Sequence, residues 1–358
     1  MRAASAPQPL DVVVLGLSIT SSWGNGHAVT YRGLVRELTA RGHRVTFLER
    51  DLPWYADNRD LPRPPWGRTE IYRSLPELKD RFAPALRGAD AVIVGSYVPD
   101  GIEAARWVLA EAKGRTAFYD IDTPVTLARL ETDACEYLTR DLVPRFDLYL
   151  SFTGGPTLHR IEREFGAKRA VPLHCAVDAG HYRPEPREAR WDLGYIGTYS
   201  TDRQPALERL LLEPARRWGE GRFVVAGPQY PRDLRWPPNV ARMEHVAPAQ
   251  HVSFYNAQRF ALNVTRADMV RAGWSPSVRL FESAACGTPV VSDVWEGIDA
   301  FFEPGREILL AESTEEALEL VRGTPEAERR RIAEAARARV LREHTAAHRV
   351  RELEGYLA

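Results

Sequence analysis

The segment richest in chemistry is Gly273-Trp274-Ser-Pro-Ser277-Val278-Arg279-Leu-Phe-Glu282-Ser-Ala-Ala-Cys286-Gly287-Thr-Pro289-Val-Val-Ser-Asp293. Its spacing predicts a loop, a short helix from about Ser277 that stops at Gly287, and a proline-led strand. The start of such a helix offers backbone amides near Ser277 and Val278 to an anion, and a pyrophosphate suits them. Glu282 falls one turn in, where a carboxylate can accept both hydroxyls of a ribose. Arg279 either meets phosphate or pairs with Glu282. Cys286 reads as a small buried residue, with no neighbouring base to make its thiol a nucleophile.

A second candidate is Gly194-Tyr-Ile-Gly197-Thr-Tyr-Ser-Thr201-Asp202-Arg203, read as a strand, a glycine turn and a helix start. Thr201 or Asp202 is expected to cap the helix, with Arg203 at its mouth. Amides, dipole and guanidinium together make a diphosphate cradle; the alternative is an ordinary capped turn.

In the first half, the loop from Ser18 to His27 joins a strand to a helix, and Gly24 and Gly26 allow backbone to approach a ligand. A dinucleotide fingerprint, with Glu49 ending the second strand, fails on spacing. Its first glycine belongs in the turn directly after the strand, yet Gly24 comes seven residues after Leu17, and the helix lacks the third glycine. His27 opens that helix, where a cationic ring opposes the dipole. A neutral imidazole there can take a proton from an acceptor hydroxyl; the alternative is a histidine that only caps the loop. Asp120-Ile-Asp122-Thr-Pro124 ends the fourth strand. Strand alternation lets only one carboxylate face a site, and Asp122 is the expected one, orienting His27, acting as base or binding acceptor hydroxyls. Its alternative is an Asx turn capping the next helix. Pro124 is expected to keep Thr123 extended.

These segments need elements to hold them, and hydrophobic periodicity supplies alternating strands and helices. Strands are expected at 11–17, 44–49, 90–95, 115–120, 146–151 and 170–174, with helices at 28–43 and near 100–112, 130–142 and 155–166. A polar, proline-bearing stretch at 176–190 reads as a linker. A second series follows, with strands at Trp191 onward, 222–227, 260–265, 288–293 and 307–311. Such alternation means parallel sheets covered by helices on both faces. The expected fold is therefore α/β: two doubly wound Rossmann-like domains, 1–175 and 191–340, facing a cleft. A last helix at 341–358 is placed to return to the first domain.

The 358 residues suit two domains of about 150–180 residues each. Lys plus Arg is 48 against 49 Asp plus Glu, so a basic field for gripping nucleic acid is absent. Three scattered cysteines argue against a disulfide framework or zinc knuckle and suit a reducing cytoplasm. No apolar run of about 20 residues marks a membrane span.

The run Leu280-Phe-Glu282-Ser-Ala-Ala-Cys-Gly-Thr-Pro-Val-Val-Ser-Asp293 resembles the nucleotide-sugar signature of GT-B glycosyltransferases, in particular the family 4-like group. Trp295-Glu-Gly-Ile-Asp299 and the Phe301–Leu309 stretch are similar to the CgeB-like, spore-maturation-type subgroup. Pro172-Leu-His-Cys-Ala-Val-Asp178 resembles the family crossover, and His344, Thr345 and Arg349 fit its last helix. The resemblance implies a metal-independent transfer from a nucleotide sugar, a UDP-sugar favoured, to a hydroxyl on a small molecule or glycan. No cofactor beyond that co-substrate is implied. Glu282 would hold the ribose; Gly197, Arg203, Ser277, Val278 and Arg279 the diphosphate; Gly24 and Gly26 would close over it. Where retaining members carry a second Glu, eight positions before the first, this chain has Trp274. Arg266 and Asp268, after the strand at 260–265, can stand in beside it at the donor sugar. A His27–Asp122 pair suits inversion, whereas family likeness leans to retention. On the same fold, a nucleotide-sugar epimerase or a non-catalytic nucleotide-sugar-binding protein are the alternatives.

Overall fold

A computed structural model describes residues 8–24 and 26–358; the start of the N-terminal stretch and Asn25 of the first loop lie outside the described residues. The chain divides into two compact units, one reaching to residue 175 and joined by 346–358, the other residues 176–345.

The first unit runs β1 (Asp11–Gly16), α1 (His27–Ala40), β2 (Arg44–Arg50), α2 (Pro53–Ala56), β3 (Arg68–Tyr72), α3 (Leu75–Gly88), β4 (Ala91–Gly95), α4 (Gly101–Glu111), β5 (Arg115–Asp120), α5 (Thr123–Glu131), β6 (Leu148–Ser151), α6 (Pro156–Phe165) and β7 (Ala170–Pro172). Its seven strands pair in parallel in the order β3-β2-β1-β4-β5-β6-β7. Alternation decides the layers: Val13, Leu15, Val92 and Val94 enter one core, whereas Val12, Val14, Ala91 and Ile93 enter the other.

The second unit runs β8 (Trp191–Ile196), α7 (Gln204–Leu207), a π-helical turn at Glu208–Leu212, α8 (Glu213–Arg217), β9 (Phe223–Ala226), β10 (Val240–Met243), α9 (Pro248–Asn256), β11 (Gln258–Asn263), α10 (Ala267–Ala272), α11 (Val278–Ala285), β12 (Val290–Ser292), β13 (Leu309–Leu310), α12 (Thr314–Gly323) and α13 (Glu326–Glu343). The strand order is β10-β9-β8-β11-β12-β13, again parallel. Two doubly wound Rossmann-like units result. Helix α14 (Ala346–Leu357) returns to the first unit. There Val350, Leu353 and Leu357 join Leu34, Val35 and Leu38 of α1 in one core. Glu354 receives Arg41 through Nε and Nη2, both at 2.7 Å, and stands 2.8 Å from His43 Nε2.

The expected helix at 130–142 is absent: α5 starts at Thr123 and ends at Glu131. Pro124 sits in its first turn, where the missing N–H costs nothing and the fixed φ favours the helix, so it starts the helix instead of holding Thr123 extended. Strands β3 and β10 lie outside the expected set. Both are sheet edges, and their polar sequences RTEIY and VARM bury one residue each.

Candidate active site

In open parallel sheets, ligands collect at the carboxyl ends of the strands where the strand order reverses. In the second unit that point lies between β8 and β11, and the loop after β11 is built around Asn263. Its Oδ1 accepts from Ser277 Oγ at 2.7 Å and from an Arg279 Nη1 at 2.9 Å. Its Nδ2 donates to Ser292 Oγ at 2.9 Å and Thr265 Oγ1 at 3.1 Å. Asp293 accepts the Thr265 amide and hydroxyl, both at 2.8 Å, and burial pushes its carboxyl up. One amide side chain thus fixes the ends of β11 and β12 and the start of α11.

Arg279 does not pair with Glu282. Its Nε donates to the Ile196 carbonyl at 2.6 Å, its guanidinium lies over the Tyr195 ring at 4.9 Å, and Nη2 is directed at Gly197. A Cβ on Gly197 would stand 3.1 Å from that nitrogen and 2.4 Å from the Tyr195 hydroxyl. Ser277 occupies the N-cap position of α11 but spends its hydroxyl on Asn263, so no side chain caps the helix that Val278 begins. Its N-terminus keeps the polarity that attracts an anion.

Glu282 is buried one turn further on. Its Oε2 accepts the Tyr255 hydroxyl at 2.9 Å, and its Oε1, also buried, has no hydrogen-bond partner. His251 Nδ1 is 3.9 Å from Oε2.

Arg203 folds back on its own loop, donating to the Thr198 carbonyl at 2.6 Å and Ser200 Oγ at 2.9 Å. Neither Thr201 nor Asp202 caps α7, which begins only at Gln204, so both stand too early to reach its amides. Asp202 instead accepts the amide of Ala267, the first residue of α10, at 3.0 Å and lies 4.0 Å from Arg266 Nε. Asp268 pairs with Arg271 one turn along α10. Trp274 follows in a left-handed backbone (φ 41°), its indole packed on Gly297: a Cβ there would come within 2.5 Å of three ring atoms. Ser277 and Arg279 thus share Asn263, with Gly197 beside the Arg279 guanidinium and Val278 opening α11, whereas Arg203 is tied to its own loop, Arg266 lies by Asp202 and Asp268 pairs with Arg271.

In the first unit the order reverses between β1 and β4. Glu49, buried at the end of β2, accepts the amides of Ile19 and Thr20 at 2.7 and 3.0 Å and the Thr20 hydroxyl at 2.6 Å. Its carboxylate shapes the first loop from within. Gly24 needs its glycine for φ 59°, whereas Gly26, at φ −66°, does not; both are exposed.

His27 opens α1. Burial, partly offset by the Asp122 charge, lowers its pKa to about 4, so the ring is neutral near pH 7. Asp122 holds the N-cap position of α5 without capping it. Its Oδ2 accepts the hydroxyl of Tyr97 at 2.8 Å, and the Tyr97 ring meets His27 edge-on, centroids 5.5 Å apart. Asp120 faces inward: Tyr149 and Thr126 donate to it at 2.5 and 2.8 Å, and burial raises its pKa to about 6. Tyr97, Asn263 and Tyr255 were not among the expected residues. The strand-end rule at the switch point identifies the first two positions; Tyr255 carries no sequence signal.

Among the described residues no group of three or more His, Cys, Asp or Glu is arranged to hold a metal ion, and no helix is long and apolar enough to cross a membrane.

Comparison with known proteins agrees with this architecture. Residues 203–355 match the family model described as glycosyl transferase-like. No curated protein sequence matches the chain. Among solved structures, an α-glucosyltransferase in complex with UDP-glucose and DNA containing an abasic site superposes with TM-score 0.74 at 14% identity, covering 98% of this chain and 99% of that one. HepE from Anabaena, in complex with UDP and glucose, gives 0.71 at 12%, covering 97% and 99%. Sucrose-phosphate synthase from Thermosynechococcus elongatus gives 0.69 at 14%, covering 96% and 97%. The chain has the GT-B fold, and its residues 203–355 are similar to the glycosyl transferase-like family.

Proposed function

We propose that this chain transfers a sugar, a hexose in the simplest case, from a nucleoside-diphosphate donor to a hydroxyl acceptor without a divalent metal. UDP is the favoured nucleotide, since HepE and the α-glucosyltransferase hold UDP or UDP-glucose on this fold. The observation that carries the reading is the unpartnered, buried Oε1 of Glu282. Leaving a buried carboxylate oxygen without a donor costs about 1–3 kcal/mol, and the hydroxyls of a ribose supply the missing donors. The glycosyl transferase-like match over residues 203–355 supports it, and the motifs keep the CgeB-like group as the subgroup proposed.

In this reading the diphosphate lies at the start of α11, on Ser277, Val278 and Arg279, with Gly197 and Arg203 beside it. Arg266, Asp268 and Trp274 take the sugar, and Gly24 and Gly26 offer backbone to the diphosphate. Helix dipole and guanidinium stabilise the charge that builds on the departing diphosphate, the work a metal ion does in other transferases. Neutral His27 takes the acceptor's hydroxyl proton as its oxygen bonds to the anomeric carbon. The bond from that carbon to the diphosphate breaks with its electron pair staying on the phosphate. Asp122 stabilises the imidazolium so formed. The net charge of −1 favours a small-molecule or glycan acceptor over nucleic acid. Three scattered, buried cysteines favour the cytoplasm.

Calorimetric titration with UDP, GDP, dTDP and ADP, each with and without EDTA, tests this. One nucleotide is expected to bind tightly, indifferent to EDTA, with affinity falling at least about tenfold in Glu282→Ala. No binding by any of the four overturns the reading.

A further inference from the structure

Tyr97 touches both members of the proposed acid–base pair. Its hydroxyl donates to Asp122 Oδ2 at 2.8 Å and its ring edge meets His27. The backbone that places it there is costly: φ is 61°, a left-handed conformation in which a bulky side chain is an outlier. Such a conformation persists only when its surroundings over-determine it, and they do. Ser96, one residue earlier, is bonded to the β5 edge through its amide, which reaches the Tyr119 carbonyl at 2.9 Å. Its hydroxyl accepts the Ile121 amide at 3.1 Å. The Tyr97 ring packs on Tyr137 at 4.6 Å, with the Arg129 guanidinium 5.7 Å away on α5. Tyr137 can come so close because Gly101 has no side chain; a Cβ there would lie 2.7–2.9 Å from Tyr137 atoms.

Resting on the glycosyl-transfer reading, we propose that Tyr97 is the positioning residue of the pair, fixing the orientation of Asp122 and the seat of the His27 ring. By donating to Asp122, its hydroxyl also draws charge from the carboxylate and weakens the hold of that carboxylate on a protonated His27. The other ionisable or charged groups around the pair are Asp120, which accepts the Asp122 amide at 3.2 Å, Tyr137 and Tyr149 on the Asp120 side, Tyr31 from α1, and Arg129.

Tyr97→Phe keeps the ring and removes the hydroxyl. In the full chain, an NMR titration of the histidine ring nitrogens, with His27 assigned through His27→Gln, should show His27 titrating higher by about half a unit or more. UDP release from UDP-glucose should slow roughly tenfold in kcat while the KM for UDP-glucose stays within about twofold. In an Asp122→Asn background the same substitution should change neither readout. A His27 titration that does not move, or a full-size loss of kcat in the Asp122→Asn background, overturns the role. Should wild type itself release no UDP, the glycosyl-transfer reading falls; the histidine titration then still decides whether Tyr97 governs the pair.

Discussion

The carboxylate of Glu282 is split in its duties: Oε2 takes the Tyr255 hydroxyl at 2.9 Å, and buried Oε1 takes nothing. A carboxylate locked by one oxygen presents the other in a fixed direction, so little orientation remains to be lost when a diol arrives.

Removing that oxygen is therefore expected to be costly. Glu282→Ala should weaken UDP binding by about 1.5–3 kcal/mol, whereas Tyr255→Phe, which frees the carboxylate but leaves it present, should cost about 0.5–1.5 kcal/mol. Calorimetry on both variants checks the order; equal losses would show that Tyr255 matters only through Glu282.

Gly197→Ala places a Cβ 2.4 Å from the Tyr195 hydroxyl and 3.1 Å from Arg279 Nη2. The tyrosine must yield, and the guanidinium lying over its ring moves with it. A stability loss of about 1–3 kcal/mol is expected from urea unfolding, with UDP affinity falling as well. A variant as stable as wild type with unchanged affinity would mean the loop adapts.

Asn263→Asp keeps an acceptor for Ser277 and Arg279 but removes the amide that donates to Thr265 and Ser292, and sets a second carboxylate near Asp293. Loss of about 2–4 kcal/mol is expected, smaller at low pH where the carboxyls protonate. Urea midpoints at pH 5 and pH 8 test both parts.

Acid sensitivity follows from three groups that folding desolvates. His27 and His174, each lowered to about 4 chiefly by burial, are neutral when folded but charge when unfolded between pH 4 and 6.5, so each removes stability as pH falls through that window. Asp120, raised to about 6 by burial, acts oppositely: it is protonated when folded and ionised when unfolded between about pH 4 and 6, which adds stability as pH falls. The three sum to a net dependence near one proton, about 1.4 kcal/mol per pH unit between pH 4 and 6. His27→Gln should flatten this slope by one proton, and Asp120→Asn should steepen it by one, in unfolding free energies measured across that range.

The strands buried on both faces, such as Val12–Leu15 and Ala91–Val94, were legible because each is a continuous apolar run. Edge strands β3 and β10 were not, since an edge in a polar sequence is defined by its neighbour and not by its own pattern. Pro124 misled because the same ring that opposes a helix before it favours one after it. At the site, Glu282 and Ser277 followed from helix register. The roles of Asn263 and Tyr97 lay out of reach, because most partners that define the hub stand 14 to 30 residues away and those of the clamp 25 to 70.

Helix α14 completes the core of the first unit although it is made after the whole of the second. During synthesis, residues 176–345 are available as a contiguous unit before the ribosome reaches Ala346. Until then, Leu34, Val35 and Leu38 of α1 lack their cover. The usual vectorial order, first domain first, is thereby inverted: the first unit closes only after the second has been made, and a ribosome stalled before Ala346 leaves an apolar stripe on α1 for chaperones to find.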